Sequence, residues 1–169
     1  MMPVFTRSRA WLLAAALAHV AASAGAQTAQ PPLTPSKGDV IPAFETLGID
    51  GKAAKVDFAK GTKTVLLFFL SGCPTCHKMI PEWNRAYERR SKDLKVVGVI
   101  MDQEPPGFWG TMPISFPVVR SPGRAFLTGL NVNRAPLTVR VGSGGTVDDL
   151  ALGIVDPIRL GELFAPPPK

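Results

Sequence analysis

The chain contains only two cysteines, two histidines and one tyrosine among 169 residues. Two cysteines cannot form the multi-bridge framework that stabilises small disulfide-rich secreted proteins. They also leave too few ligands for the four-coordinate sites usual for structural zinc, so we predict no metal site. No internal repeat is visible, which argues against solenoids and propellers. A single globular domain with one hydrophobic core fits this composition.

Long runs of like charge are also absent, although the formal net charge is +6. The nearest approach to a basic cluster is Arg85, Arg89 and Arg90, whose spacing places them on one side of a predicted helix. Such a group is ordinarily a solvated helix face rather than a nucleic-acid footprint. We therefore predict no nucleic-acid partner.

The first 26 residues have the pattern of a secretory signal peptide. Arg7 and Arg9 precede an apolar stretch over residues 10–22, and the small residues 24–26 follow it. The apolar stretch is shorter than the roughly 20 residues that a membrane-spanning helix needs. We expect cleavage after Ala26 and export to a bacterial periplasm, with a Pro-rich linker over residues 27–37.

The two cysteines are three positions apart, directly after an apolar run. Residues 64–70 are typical of a buried strand, and the segment Cys73-Pro74-Thr75-Cys76 follows. Pro74 suits the first position of a helix, which makes Cys73 the N-cap. The free N–H groups and positive dipole end of a helix stabilise a thiolate, the reactive form of cysteine. We therefore predict that Cys73 is the reactive thiol and that Cys76, less exposed, pairs with it in thiol–disulfide exchange.

His77 follows the second cysteine, so the same segment also fits the C-x-x-C-H pattern that attaches c-type haem. Both cysteines would then form thioethers and His77 would be an axial ligand. A structural disulfide is a third interpretation, although so short a loop would add little stability. The spacing favours a redox dithiol and leaves the other two interpretations open.

Hydrophobic periodicity and turn signals predict an alternating order of strands and helices. The predicted strands cover residues 43–47, 55–58, 64–70, 94–101, 116–119, 137–141 and 146–152. The predicted helices cover residues 74–91, 123–130 and 157–164. This order, which finishes in an antiparallel hairpin, predicts an α/β fold with a central mixed β-sheet flanked by helices on both faces.

The order of elements and four short segments together resemble the thioredoxin fold. The segments are residues 38–44, 73–76, 96–99 and 135–139. They are similar to exported thiol–disulfide oxidoreductases of the TlpA/ResA type in the redoxin group, and residues 69–81 are also similar to MauD. The resemblance implies a thioredoxin-like domain over residues 38–165, followed by a Pro-rich tail at 166–169.

The resemblance also implies roles for individual residues. Cys73 matches the attacking thiol and Cys76 the resolving thiol. Pro136 matches the family's cis-proline, which would leave the backbone of Ala135 free to bind an extended substrate strand beside Cys73. Pro74 and Thr75 would border the same cleft. Apolar contact area for a polypeptide is expected from a further set: Leu70, Pro74, Met79 and Pro136.

Three positions depart from the family pattern. Gly72 replaces the tryptophan that usually precedes the first cysteine. Met79 occupies the position of the ResA-type glutamate, and Leu67 that of the buried acid of thioredoxins. No acid is therefore evident beside Cys76, and two candidates for proton transfer are left open: water, and His77, whose ordinary pKa lies near neutral pH.

These observations together predict an exported thiol–disulfide oxidoreductase that acts on protein disulfides, with the reductase direction favoured. No cofactor is expected. The expected partners are a protein substrate that carries a disulfide or dithiol and an inner-membrane redox partner, because a dithiol in an oxidising compartment must be kept reduced. A monomer is expected. Two alternatives stay open: a c-type haem protein that uses Cys73, Cys76 and His77, and a non-catalytic thioredoxin-like binding module.

Overall fold

The computed structural model describes residues 32–165 of the chain. The predicted signal peptide, residues 27–31 of the predicted linker and the Pro-rich tail lie outside the described residues. The strands are β1 Phe44–Leu47, β2 Ala53–Val56, β3 Lys63–Phe69, β4 Leu94–Ile100, β5 Val118–Arg120, β6 Leu137–Val141 and β7 Val147–Leu152. The helices are α1 Pro74–Arg89, α2 Phe108–Thr111, α3 Arg124–Gly129 and α4 Pro157–Phe164, and a 3₁₀ turn covers Ser143–Gly145. Within residues 32–165, no helix has the length and apolar character needed to cross a bilayer.

The main sheet has five strands in the order β5-β4-β3-β6-β7. Strands β3, β4 and β5 run parallel, whereas β6 and β7 pair antiparallel, so the sheet is mixed as predicted. Strands β1 and β2 form a separate antiparallel hairpin. Because the parallel strands share a direction, the loops that follow β3 and β4 lie together at one edge of the sheet.

Strand β3 is the centre of the core, and its side chains are buried on both faces. Val65, Leu67 and Phe69 pack into one cluster with residues of α1 and α4. Leu66 and Phe68 pack into a second cluster with residues of the β1–β2 hairpin and of α3. The expectation of helices on both faces of the sheet is thereby confirmed.

The fifth strand begins two residues later than its predicted start. Pro117 has no N–H to donate to a strand ladder, so regular pairing with β4 begins at Val118. Phe116 instead packs in the core against β4. Its ring closely approaches Gly98, where a Cβ would lie only 2.7 Å from a ring carbon.

The turn between β6 and β7 supplies a stability test with a built-in control. Gly144 and Gly145 both have positive φ, at 72° and 88°. A Cβ on Gly145 would lie 2.1 Å from the carbonyl oxygen of Ile41, whereas one on Gly144 would contact nothing within 4 Å.

We predict that Gly145→Ala lowers the free energy of unfolding by at least about 2 kcal/mol more than Gly144→Ala, because the backbone must shift to relieve the overlap. Gly144→Ala bears only the left-handed strain of about 1–2 kcal/mol. Urea unfolding of both variants measures the difference. Equal losses would show that the contact with Ile41 is not a constraint.

Candidate active site

Cys73 is the N-cap of α1 and lies immediately after the buried strand β3. The backbone N–H of Cys76 donates to Cys73 Sγ at 3.2 Å, and Pro74 occupies the first turn. Cys73 is partly exposed. A partly exposed sulfur that accepts a backbone N–H at a helix N-terminus is arranged to react as a thiolate.

Cys76 lies one turn further along α1 and is completely buried, and it is not bonded to Cys73 in this structure. The pKa of the Cys76 thiol is raised from 9.0 to about 12, and burial is the largest cause. The neighbouring Cys73 and the charge of Asp102 act in the same direction, whereas a hydrogen bond with the backbone of Leu70 opposes them. At neutral pH Cys76 is therefore a buried, protonated thiol, whereas Cys73 is partly exposed.

The Ala135-Pro136 segment lies directly beside Cys73. Its peptide bond is cis, and the carbonyl oxygen of Ala135 is 3.9 Å from Cys73 Sγ. Ala135 is partly exposed whereas Pro136 is buried. The structure thus brings together Cys73, Cys76 and Ala135, as the resemblance implies.

The residues around the two cysteines leave the mouth of the site open. Pro74 is exposed and Thr75 is half-buried. Gly72 is also exposed, and a Cβ added to it would contact nothing within 4 Å. Gly72 stands where the resembling family usually has a tryptophan, and no other side chain fills the space next to it.

The His77 ring has two described contacts. Its Nε2 donates to the carbonyl oxygen of Ser71 at 2.6 Å, since a carbonyl only accepts, and its ring lies 6.3 Å from that of Phe108. Neither contact involves a cysteine. The proton-transfer role of His77 therefore remains a prediction that no described contact supports.

Asp102 is the acidic residue that sequence reasoning missed. Its carboxylate accepts the Ser71 backbone N–H at 2.8 Å and the Ser71 hydroxyl at 2.9 Å. Strands β3 and β4 are adjacent and in register, with Phe69 opposite Ile100, so the residues that follow them meet. An aspartate just past the carboxyl end of a strand beside β3 was the available signal.

Two exposed apolar residues, Leu152 and Ile154, flank Gly153 and form an apolar rim near Pro136. Leu152 is 41% exposed and Ile154 is 64% exposed. The N–H of Gly153 donates to the Pro136 carbonyl at 2.8 Å, which holds the loop after β7 against the cis-proline segment.

Met79, expected to offer contact area to a substrate, is only 1% exposed. It belongs to the core because it faces the sheet from α1, and it accepts the Val155 N–H.

The geometry does not suit covalent haem attachment. Both cysteine sulfurs would have to reach the vinyl groups of a bulky porphyrin, yet the side chain of Cys76 is completely buried. The ring of His77, which would have to ligate the iron, is held by the backbone of Ser71 instead.

A buried strand that delivers a dithiol to a helix N-terminus, with a cis-proline segment beside the outer sulfur, defines a thioredoxin-fold thiol–disulfide oxidoreductase. The chain belongs to the Redoxin family, whose sequence model matches residues 36–157. No curated protein sequence matches the chain significantly.

Solved structures share the fold over most of the chain. A thiol:disulfide interchange protein DsbE from Chlorobium tepidum is 25% identical, with a TM-score of 0.64 over 77% of this chain and 94% of that one. StoA from Bacillus subtilis is 23% identical, with a TM-score of 0.61 over 78% and 98% of the two chains. The exposed lipoprotein thioredoxin Etrx1 from Streptococcus pneumoniae is 21% identical, with a TM-score of 0.62 over 72% and 97%.

The unequal burial of the two thiols predicts unequal alkylation. At pH 8, iodoacetamide should modify one thiol per reduced native chain, at Cys73, and two in denaturant. Because only a thiolate alkylates and the pKa of Cys76 is raised to about 12, its labelling in the folded protein should begin only as the pH rises toward that value. Mass spectrometry of the wild type and of Cys73→Ser measures the sites, and equal labelling of both cysteines at pH 8 would contradict this order.

Proposed function

We propose that the protein is an exported reductase of protein disulfides, in which Cys73 attacks and Cys76 resolves. The observation that carries the proposal is the contrast between the two sulfurs. Cys73 Sγ is partly exposed and accepts a backbone N–H, whereas Cys76 is buried and protonated. An outer nucleophile with an inner partner is the order that two-step thiol–disulfide exchange requires.

The reaction balances with the substrate disulfide as oxidant. The Cys73 thiolate bonds to one substrate sulfur, the substrate S–S bond breaks, and the other substrate sulfur leaves as a thiolate. Cys76 then loses its proton and bonds to Cys73 Sγ, which releases the second substrate thiolate. The substrate gains two electrons and leaves as two thiolates, which can take up protons from solvent, while Cys76 loses one proton and the protein ends with a Cys73–Cys76 disulfide. An electron donor at the inner membrane must then reduce that disulfide.

The surroundings of Cys73 support the reductase direction. A dithiol becomes a strong oxidant when its reduced form is specially stabilised. Among the described residues, the polar contacts of Cys73 Sγ are the N–H of Cys76 and the carbonyl of Ala135, and neither is a cation. The dipeptide between the cysteines, Pro74-Thr75, carries no charge. Among residues 32–165, no cationic side chain forms a hydrogen bond with Cys73 Sγ that would add to the stabilisation of the reduced state by the helix N-terminus.

The apolar rim formed by Leu152 and Ile154 supports a polypeptide substrate. These side chains are exposed, and they flank Gly153, whose N–H donates to the carbonyl of Pro136 in the segment where a mixed disulfide would form. An extended peptide that pairs with the backbone of Ala135 would cover them. The predicted signal peptide supports export, and the name of the pneumococcal relative describes an exposed lipoprotein.

In cells, the protein should be mainly reduced at steady state, and Cys76→Ser should accumulate mixed disulfides with other exported proteins. Acid quenching, followed by alkylation with a bulky reagent and non-reducing electrophoresis, measures both. Cys73→Ser is the control and should trap nothing. A wild-type protein that stays fully oxidised would contradict the reductase direction. A Cys76→Ser variant that traps no protein, although the wild type binds one, would favour a non-catalytic binding module.

If the apolar rim contacts the substrate, a charge placed in it should weaken the binding of large substrates only. Ile154→Asp should raise the KM for a polypeptide disulfide at least about threefold, because a charge replaces apolar contact area. It should leave the rate with a small aromatic disulfide unchanged. Ile49→Asp is the matched control, since Ile49 is also exposed (41%) but belongs to the β1–β2 hairpin region. Equal effects of the two variants would exclude the rim as a substrate contact.

A further inference from the structure

Ser71 and Gly72 are the two central residues of the turn that joins β3 to α1. The N–H of Cys73 donates to the carbonyl of Leu70 at 3.3 Å, which closes this turn and ends it at the reactive thiol. Gly72 is exposed and has no side chain to pack against its surroundings. Of the two central residues, Ser71 is therefore the one whose side chain can fix the turn in place.

All three polar groups of Ser71 are hydrogen-bonded, and the side chains that bind them come from two different parts of the fold. Asp102, in the loop after β4, accepts the Ser71 N–H at 2.8 Å and the Ser71 hydroxyl at 2.9 Å. His77, on α1, donates from Nε2 to the Ser71 carbonyl at 2.6 Å. Ser71 is only 5% exposed, so water competes little for these bonds. The turn is thereby bonded to the sheet on one side and to the helix on the other.

We propose that Asp102 and His77 are positioning residues, which hold Ser71 so that Cys73 stays at the N-terminus of α1 and beside Ala135. The proposal rests on the proposed function, in which Cys73 is the attacking thiol, and holds for either direction of electron flow. It gives His77 the role of a hydrogen-bond donor to the turn, in place of the proton transfer expected from the sequence.

The position of Cys73 matters because its sulfur depends on neighbouring backbone groups. Cys73 Sγ accepts the Cys76 N–H at 3.2 Å and lies 3.9 Å from the carbonyl oxygen of Ala135. A turn released from Asp102 or His77 would let Cys73 leave the N-cap, where the free N–H groups of the helix stabilise a thiolate. The fraction of thiolate at neutral pH would then fall, and the rate of attack with it.

The charge of Asp102 acts on this thiolate in the opposite sense to its hydrogen bonds. A nearby carboxylate disfavours a second negative charge, so the charge alone would slow the attack. Asparagine at position 102 loses that charge but keeps an oxygen that can accept the Ser71 N–H and an N–H that can donate to the Ser71 hydroxyl. Alanine loses the charge and both hydrogen bonds. The two variants therefore separate positioning from charge.

Stopped-flow reaction of the reduced protein with a chromogenic aromatic disulfide tests the proposal, because the first aromatic thiolate released reports the attack of Cys73. At pH 7, Asp102→Ala and His77→Ala should each slow this release at least about threefold. A higher pH should restore most of the lost rate, because the thiolate then forms without the help of the helix.

The conservative variants should rescue the reaction. Asp102→Asn should react at least as fast as the wild type, because it keeps the hydrogen bonds and loses the opposing charge. His77→Gln should stay within about twofold of the wild type, because the amide of glutamine can donate to the Ser71 carbonyl as the imidazole does.

Glu104→Ala is the matched control. Glu104 lies in the same loop, two residues beyond Asp102, and accepts hydrogen bonds from Arg120 and Trp109 but makes no described bond to Ser71. Its removal should lower the temperature of unfolding and leave the rate and pH profile of the first release unchanged.

Thermal unfolding shows which variants are folded. If Asp102→Ala is not, Ser71→Ala replaces it, because this change removes only the hydroxyl bond to Asp102. Ser71→Ala should also slow the first release at pH 7, with the same recovery at higher pH.

Three outcomes would overturn the proposal. If Asp102→Ala reacts as fast as Asp102→Asn, the hydrogen bonds of the carboxylate do not position Cys73. A wild-type rate in His77→Ala would contradict the role of His77. Equal slowing in Glu104→Ala and Asp102→Ala would show a general effect of loop stability. A missing first release in the wild type would instead count against the oxidoreductase mechanism itself.

Discussion

Burial of β3 on both faces is the constraint on which the rest of the structure depends. Its alternating side chains belong to two separate core clusters, so the strand cannot shift along its axis or rotate without exposing one of them. The chain leaves this strand at a fixed point, and α1 begins after four intervening residues. The position of Cys73 beside Ala135, and of Ser71 beside Asp102, follows from that single fixed exit.

The same geometry makes the two sulfurs chemically different although they are three residues apart. The N-cap position leaves Cys73 partly exposed with a backbone N–H directed at its sulfur. One helical turn places Cys76 on the face of α1 that packs against the sheet, together with Met79, Ile80 and Trp83. Burial then keeps Cys76 protonated until a mixed disulfide forms above it. The proposed division into an attacking and a resolving thiol thus follows from helix periodicity at the end of a buried strand.

Much of the fold and the central pair could be predicted from the sequence, because they depend on local signals. The apolar run before Cys73, the proline at the first helical position and the glycine-rich turn before β7 each act within a few residues. Asp102 and the apolar rim could not be predicted in this way. Asp102 meets Ser71 only through the pairing of β3 with β4, and Ile154 borders the site only because Gly153 is bonded to Pro136. The expectation that Met79 offers contact area to a substrate was wrong for the same reason, because its burial depends on which face of α1 meets the sheet.

The reduction potential of the Cys73–Cys76 pair tests the central claim most directly. The purified mature protein is equilibrated in graded thiol–disulfide buffers, and free thiols are counted by mass spectrometry after alkylation in denaturant. The account predicts one two-electron transition in which both thiols appear together, with a potential near about −270 mV, as for thioredoxin. A potential near about −120 mV would show a disulfide-forming oxidant and contradict the proposed direction. Thiols that never titrate would contradict the redox role altogether.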